Sequence, residues 1–167
     1  MRGTGIAPRL VAPAAVFACL VVAAAPASTG MPSGDPGAAA SDQVANAAGK
    51  RAKLILKRTR YGRVLFSGNR RALYLFTRDG RRKSRCFEDC ARAWPPFRVK
   101  RRPLAGRGVK PRLIGTIRRA GGARQVTYRG HPLYFYEHDP RGQVLCQNVF
   151  EFGGLWLVVN RRGRAVR

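Results

Sequence analysis

Acidic residues are scarce in this chain. Aspartate and glutamate total 8 against 33 lysines and arginines, a formal net charge of +25 over 167 residues. Such a surface attracts anions; if the protein is exported, these would be anionic lipid headgroups, acidic envelope polymers or extracellular nucleic acid. A coding bias toward arginine, alanine and glycine would give the same excess. Charge alone therefore predicts non-specific affinity for polyanions and no single partner.

Catalytic signatures are also missing. The sequence contains no Gly-x-Ser-x-Gly elbow, no His-Glu-x-x-His motif and no phosphate-binding loop. It has no zinc-finger spacing, no basic heptad region and no RNP-like aromatic segment. We therefore predict a non-catalytic protein that requires no cofactor, in which nucleic-acid binding is limited to non-specific charge attraction.

The one long apolar run lies at the N terminus, over residues 10–25. Arg2 and Arg9 precede it, and Ala25-Pro26-Ala27 matches the small-x-small pattern of signal peptidase sites. The run is rich in alanine and falls short of the ~20 strongly apolar residues that span a bilayer. Residues 1–27 are therefore predicted to be a cleaved signal peptide.

A second interpretation makes Cys19 a lipidated N terminus, because Val16-Phe17-Ala18-Cys19 loosely follows a lipobox. Acyl chains would then anchor the protein, and membrane association is expected only in that case. Residues 28–50 are rich in Gly, Pro, Ala and Ser, which predicts a disordered linker. Residues 51–167 suit one small domain.

This domain contains two copies of one unit. Five residues recur sixty positions later, which is the signature of an internal repeat: Leu73, Tyr74, Phe76, Asp79 and Cys86 return as Leu133, Tyr134, Tyr136, Asp139 and Cys146. Repeat one occupies about residues 60–100 and repeat two about residues 112–166.

Each unit contains a β-hairpin pattern. Short runs rich in β-branched, aromatic and aliphatic residues predict strands on either side of a turn; they lie at 63–67 and 72–77, at 124–128 and 132–136, and singly at 113–117 and 155–159. The last run is apolar on both faces and predicts an interior strand. Only residues 86–93 look helical, with Trp94-Pro95-Pro96 as the end. The sequence thus predicts a mostly-β domain of two pseudo-symmetric hairpin repeats with one short helix near 86–93.

The repeated motif is Tyr-x-aromatic-x-x-Asp. Its two rings lie on one face of a strand, where they would either build the core or, facing outward, form a platform for a small apolar ligand. Its aspartate ends the strand and is expected to accept a backbone amide in an Asx turn, unless pseudo-symmetry brings both carboxylates together for acid–base chemistry or a metal. The motif residues are Tyr74, Phe76 and Asp79 in repeat one, and Tyr134, Tyr136 and Asp139 in repeat two.

Three cysteines lie in the domain, and three thiols cannot all pair internally. Cys86 and Cys90 lie one helical turn apart and could form a disulfide, or Cys146 could bridge to either of them and join the repeats. Alternatively, the three thiols with His131 or His138 could form a soft metal or redox site.

The order of these motifs resembles the bacterial family known as a secreted repeat of unknown function, which includes lipoproteins with a Tyr-x-aromatic-x-x-Asp motif. The segments that carry the resemblance are Tyr74–Asp79, Cys86-x-x-x-Cys90-Ala91 with Trp94-Pro95-Pro96, Gln125–Tyr128 before Pro132-Leu133-Tyr134, and Tyr134–Asp139. The resemblance covers about residues 60–166. It implies export, often a lipid anchor, no established activity, and a bridge between Cys86 and Cys90.

We therefore predict an exported monomer, secreted or associated with the cell envelope, that binds anionic surfaces without catalysis. The first alternative is a small metal-binding or redox protein built on the cysteines. The second is a carrier of a small apolar ligand.

Overall fold

The computed structural model of the chain describes residues 51–167. The predicted signal peptide, Cys19 and the predicted linker lie outside the described residues. No helix within 51–167 is long and apolar enough to cross a bilayer.

The described chain is mostly β-structure with one short α-helix, which confirms the predicted fold class. The strands are β1 (Lys53–Thr59), β2 (Gly62–Ser67), β3 (Tyr74–Phe76), β4 (Arg98–Val99), β5 (Leu104–Ala105), β6 (Ile114–Arg118), β7 (Arg124–Tyr128), β8 (His131–Pro132), β9 (Val149–Glu151) and β10 (Gly154–Val158). Helix α1 spans Glu88–Ala93, and 3₁₀ turns lie at Pro111–Leu113 and Ala120–Gly122.

Each half of the domain begins with an antiparallel hairpin, and the first hairpin starts before the predicted beginning of repeat one at about residue 60. In the first, β1 pairs with β2 from Leu54 opposite Ser67 to Thr59 opposite Gly62. Gly62 has φ +83°, a value that glycine adopts without strain, so the chain can reverse tightly there. In the second, β6 pairs with β7 from Ile114 opposite Tyr128 to Arg118 opposite Arg124.

The last strand of each repeat pairs with the other repeat. Strand β10 of repeat two pairs with β3 of repeat one, and β4 of repeat one pairs with β7 of repeat two. Between the halves, the backbone amide of Tyr74 donates to the carbonyl of Tyr134 at 2.9 Å, and the reverse bond measures 3.0 Å. Because each repeat supplies a strand to the other, the two form one domain.

Alternate residues of the central strands build two apolar cores on opposite faces of these strands. Tyr74 and Phe76 face one core, and Leu73 and Leu75 face the other. In the first core, the rings of Trp94 and Trp156 stack in parallel, with centroids 4.0 Å apart and planes 4° apart. Strand β10 lies between β3 and β9, which confirms the predicted interior strand.

The structure differs from the sequence prediction in several elements, and the short strands β4, β5 and β9 were not predicted. Strand β1 was not predicted, because Lys53, Lys57 and Arg58 made its segment look like a basic cluster. Helix α1 begins two residues later than predicted, since Phe87 is extended at φ −131° and ψ 172°. The predicted strand at 132–136 is regular only at His131–Pro132 and continues as single bridges to its neighbours.

Candidate functional site

The repeated tyrosines and aspartates form two reciprocal pairs across the repeats. The Tyr74 hydroxyl donates to Oδ2 of Asp139 at 2.6 Å, and the Tyr134 hydroxyl donates to Oδ2 of Asp79 at 2.7 Å. The tyrosine of each repeat therefore holds the aspartate of the other. We call these four residues the Tyr–Asp lock.

The second oxygen of each aspartate closes its own loop. Asp79 Oδ1 accepts the amide of Arg85 at 2.7 Å, and Asp139 Oδ1 accepts the amide of Leu145 at 2.9 Å. Each bonded amide lies six residues after the carboxylate, whereas an Asx turn would use the amide two residues on. The expected Asx turns were therefore wrong, and each carboxylate pairs with a phenol of the other repeat instead of with the other carboxylate.

The ring pairs of the motif lie in the core. Tyr74, Phe76, Tyr134 and Tyr136 are at most 9% exposed. Phe76 stacks on Trp156 with centroids 4.2 Å apart. These four rings therefore form no outward platform, and they give no support to the apolar-carrier hypothesis at this position.

A polar network extends from one half of the Tyr–Asp lock. The hydroxyls of Ser84 and Tyr134 lie 2.8 Å apart. Arg119 Nη1 donates to Ser84 Oγ at 2.6 Å and to Gln125 Oε1 at 2.8 Å. Gln125 Nε2 in turn donates to the carbonyl of Leu133 at 2.9 Å. Sequence reasoning missed Ser84 and Arg119 and gave Gln125 no role beyond the family resemblance, because none belongs to the repeated motif and Arg119 is one arginine among many.

Burial shifts the proton affinities of the Tyr–Asp lock. It raises the pKa of Asp79 to about 6, although the Arg85 amide and the Tyr134 hydroxyl oppose the shift. Burial also raises the pKa of Asp139. The phenols of Tyr74 and Tyr134 have raised pKa values through burial and through the carboxylate beside each. Within residues 51–167, every fully buried side-chain nitrogen and oxygen has a hydrogen-bond partner.

The Tyr–Asp lock is therefore an internal crosslink. Its hydroxyls and carboxylates bond to one another, to loop amides or to Ser84, and both tyrosines are fully buried. A substrate would have to break these bonds to reach either carboxylate. Stabilisation of the two-repeat fold is the role that this geometry performs.

Cys86 and Cys90 form a disulfide with Cα atoms 5.3 Å apart, the pairing that the family resemblance implied. Cys146 is 1% exposed and lies in the same core, and none of the cysteines within 51–167 is free. Because disulfide sulfurs are not thiolate ligands, the hypothesis of a three-thiol metal site lacks its donors in this state.

The two histidines do not complete a metal site. The His138 ring packs edge-on against Tyr136, with centroids 5.5 Å apart, and His138 is exposed. His131 is half-buried on β8, and its pKa is lowered by burial and by the nearby Arg129 and Arg81. Across residues 51–167, no three His, Cys, Asp or Glu side chains converge in a way that could hold a metal.

A basic groove lies where β6 ends and β7 begins, beside β4. Its volume is about 560 Å³, and the charged residues that line it are Arg98, Lys100, Arg118 and Arg124. Arg118 lies directly opposite Arg124 in the antiparallel register. Like charges in that position repel, so an anion bound between them would relieve the repulsion.

Few of the domain's charges are neutralised internally. Among residues 51–167, one ion pair forms, between Arg92 and Asp89, and both side chains are exposed. No other lysine or arginine of this part of the chain forms an ion pair with a carboxylate within the same residues. Their charge therefore acts on the surroundings.

Comparison with known families identifies the repeat. The model of a family described as a secreted repeat of unknown function matches the chain twice, at residues 56–98 and 115–160. The chain belongs to this family of secreted repeats. No curated protein and no solved structure matches it significantly.

The family assignment fits the structure of this secreted-repeat protein. Each matched segment contains most of one hairpin and one copy of the Tyr-x-aromatic-x-x-Asp motif. The two segments meet at the Tyr–Asp lock, so the matched repeats form one structural unit. The family description supports a location outside the cytoplasm and names no activity.

Proposed function

We propose that this secreted-repeat protein is a monomeric, non-catalytic binding protein that holds anionic envelope polymers or lipid headgroups through its basic surface. The observation that carries the proposal is the near absence of internal ion pairs, with one formed among residues 51–167 of a chain of formal net charge +25. The same field gives non-specific affinity for nucleic acid.

The absence of catalysis is part of this proposal. The most chemically suggestive residues of the sequence, the repeated aspartates, are engaged in the Tyr–Asp lock, where their partners are phenols and loop amides. Residues that serve to join two halves of a domain are poorly placed to bind and release a substrate. The basic surface is the feature that is available to an external partner.

The basic groove is the preferred contact within that surface. It gathers four cations around the ends of three adjacent strands, and two of them repel each other across the register. The hairpin β1–β2 has a matched pair, because Arg58 lies opposite Arg63 in the same antiparallel arrangement. Neither residue of that pair lines the basic groove. The pair of Arg58 and Arg63 therefore provides a control with an equal change of charge.

The test compares binding of fluorescently labelled inorganic polyphosphate by three proteins in anisotropy titrations. The variants are Arg118→Glu with Arg124→Glu, and the control Arg58→Glu with Arg63→Glu. We expect the first pair to weaken binding at least tenfold and the control pair several-fold less. Equal losses would reject the groove as the preferred contact. Absence of binding by the unmodified protein at low salt would contradict the proposed function itself.

A lipid anchor at Cys19 is a finer proposal about location. An acylated Cys19 would hold the basic domain close to anionic headgroups and raise its effective concentration there. Intact mass spectrometry of protein exported by a bacterial host decides the matter. An N terminus at Ser28 would identify a cleaved, freely secreted protein, and a diacylated Cys19 would identify a lipoprotein.

A further inference from the structure

A second concave site lies apart from the Tyr–Asp lock; it shares Arg98 with the basic groove and differs from it by two phenylalanine rings in its lining. It is a cleft of about 600 Å³ between the start of β1 and the turn at residues 67–69 on one side and two phenylalanine rings on the other. We call it the phenylalanine cleft. Its lining consists of Arg51, Ala52, Lys53, Ser67, Gly68, Asn69, Phe97, Arg98 and Phe135.

The apolar wall follows from strand alternation. Phe135 lies between Tyr134 and Tyr136, whose rings fill the first core, so its own side chain emerges on the opposite face. There it contacts the ring of Phe97, with centroids 5.0 Å apart and planes tilted by 54°. Phe135 is half-buried, so part of its surface is open to the cleft.

The rim of the cleft is positively charged. Arg51, Lys53 and Arg98 are exposed and line it, and no carboxylate is among its lining residues. Arg51 is positioned by a hydrogen bond from its Nε to the carbonyl of Arg102 at 2.9 Å. An apolar wall beside three cations complements a molecule that has an apolar body and an anionic head.

The geometry of the rings favours a flexible chain over a flat ring as the apolar body. The Arg71 guanidinium lies 4.7 Å from the ring centroid of Phe135, so one face of that ring is already occupied. Phe97 and Phe135 are also tilted, and they present no open pair of parallel faces for stacking. An acyl chain can follow such a surface because each of its bonds rotates.

We propose that the phenylalanine cleft binds a single-chain anionic lipid, with its acyl chain against Phe97 and Phe135 and its head toward Arg51, Lys53 and Arg98. This inference goes beyond the proposed function, because it concerns one small ligand held in a cleft and needs neither Arg118 nor Arg124. The apolar-carrier hypothesis from the sequence placed the ligand on the motif rings. The phenylalanine cleft is formed by other residues, and its ligand has an anionic head.

The test uses two lysophospholipids with the same twelve-carbon chain, titrated below their critical micelle concentrations into ¹⁵N-labelled protein. We expect lysophosphatidylglycerol to give saturable amide shifts centred on Gly68, Asn69, Phe97 and Phe135. Lysophosphatidylcholine, which has no net charge, is expected to bind at least tenfold more weakly. Equal affinities would reject the role of the cations, and shifts centred elsewhere would reject the cleft.

Two matched pairs of variants locate the contacts. Phe135→Ala is expected to weaken binding of lysophosphatidylglycerol about tenfold, whereas Phe150→Ala, at a phenylalanine that is 68% exposed on β9, leaves it unchanged. Arg98→Glu is expected to weaken binding about fivefold or more, and Arg112→Glu, an equal charge change outside the cleft, less than twofold. The Arg98 pair remains informative if Phe135→Ala fails to fold.

The remaining outcomes also decide the matter. If light scattering shows that the free protein is a dimer and that Arg98→Glu makes it a monomer, the cleft would be assigned to a second copy of the chain and the lipid proposal would be overturned. A protein that binds polyphosphate but no lysophosphatidylglycerol would likewise overturn it and leave the proposed function intact. A protein that binds lysophosphatidylglycerol but no polyphosphate would retain the lipid site and reject the polyanion function.

Discussion

The cross-repeat pairing of the Tyr–Asp lock predicts a specific pattern of energetic coupling. Tyr74→Phe removes the hydroxyl that donates to Asp139 and leaves a carboxylate that is 7% exposed without that donor. Asp139→Ala removes the acceptor together with its bond to the Leu145 amide. A double-mutant cycle cancels that second loss and isolates the interaction between the two side chains.

The expected magnitude follows from the burial and charge of the pair. A hydrogen bond to a charged group contributes about 1.5–3 kcal/mol, and loss of a donor to a buried acceptor lies in the same range. We therefore expect Tyr74→Phe to lower the free energy of unfolding by about 2 kcal/mol, with about 1–2 kcal/mol of coupling to Asp139→Ala. The matched control pairs Tyr74→Phe with Asp79→Ala in the same repeat, where coupling should stay within about 0.5 kcal/mol.

Urea unfolding measures these values. The fluorescence of Trp94 and Trp156 reports the transition, because both rings are fully buried and become exposed on unfolding. A larger coupling of Tyr74 to Asp79 than to Asp139 would refute the cross-repeat arrangement and indicate two repeats that each close on themselves. Equal coupling to both aspartates would refute the specificity of the pairing.

Two further predictions concern stability. The pKa of Asp79 is raised from 3.8 to about 6 in the folded state, so the folded protein binds the carboxyl proton more tightly than the unfolded protein does. Protonation of Asp79 therefore stabilises the fold; this stabilisation is complete below about pH 4 and is lost as the pH rises through about 6. After discounting for solvent screening, we expect this effect to change the free energy of unfolding by about 1–2 kcal/mol. It is measured as the difference between the pH profiles of unfolding free energy of the unmodified protein and of Asp79→Asn. Parallel profiles would contradict the prediction. Removing the disulfide by Cys86→Ala with Cys90→Ala should lower the free energy of unfolding by about 2 kcal/mol, the value expected for closing so short a loop. A variant as stable in urea as the oxidised protein would show that the bridge adds nothing.

Local sequence patterns predicted most of the strands but could not identify their partners. The alternation in Leu73–Phe76 and the apolar run at 155–159 indicated strands, because side-chain period and composition are local properties. That β10 pairs with β3, and β4 with β7, depends on contacts between distant segments, for which the sequence contains no local signal.

The residues of the Tyr–Asp lock could also be identified from the sequence, whereas their bonding partners could not. The sixty-residue offset correctly singled out Tyr74, Asp79, Tyr134 and Asp139, because repetition marks residues that both units share. Their spacing within one strand suggested contacts inside each repeat, whereas the bonded partners lie 65 and 55 residues apart. Ser84 has no equivalent at the repeat offset, where the chain has Val144, so the repeat could not reveal it.

The most direct test of the charge-based account is the salt dependence of polyphosphate binding by the unmodified protein. If the four cations of the basic groove each neutralise one phosphate, the association constant should fall about 50-fold between 50 and 200 mM salt, with a slope of about −0.7 per contact. An association constant that stays constant over this range would contradict the account and show that the positive charge of this domain does not mediate its binding.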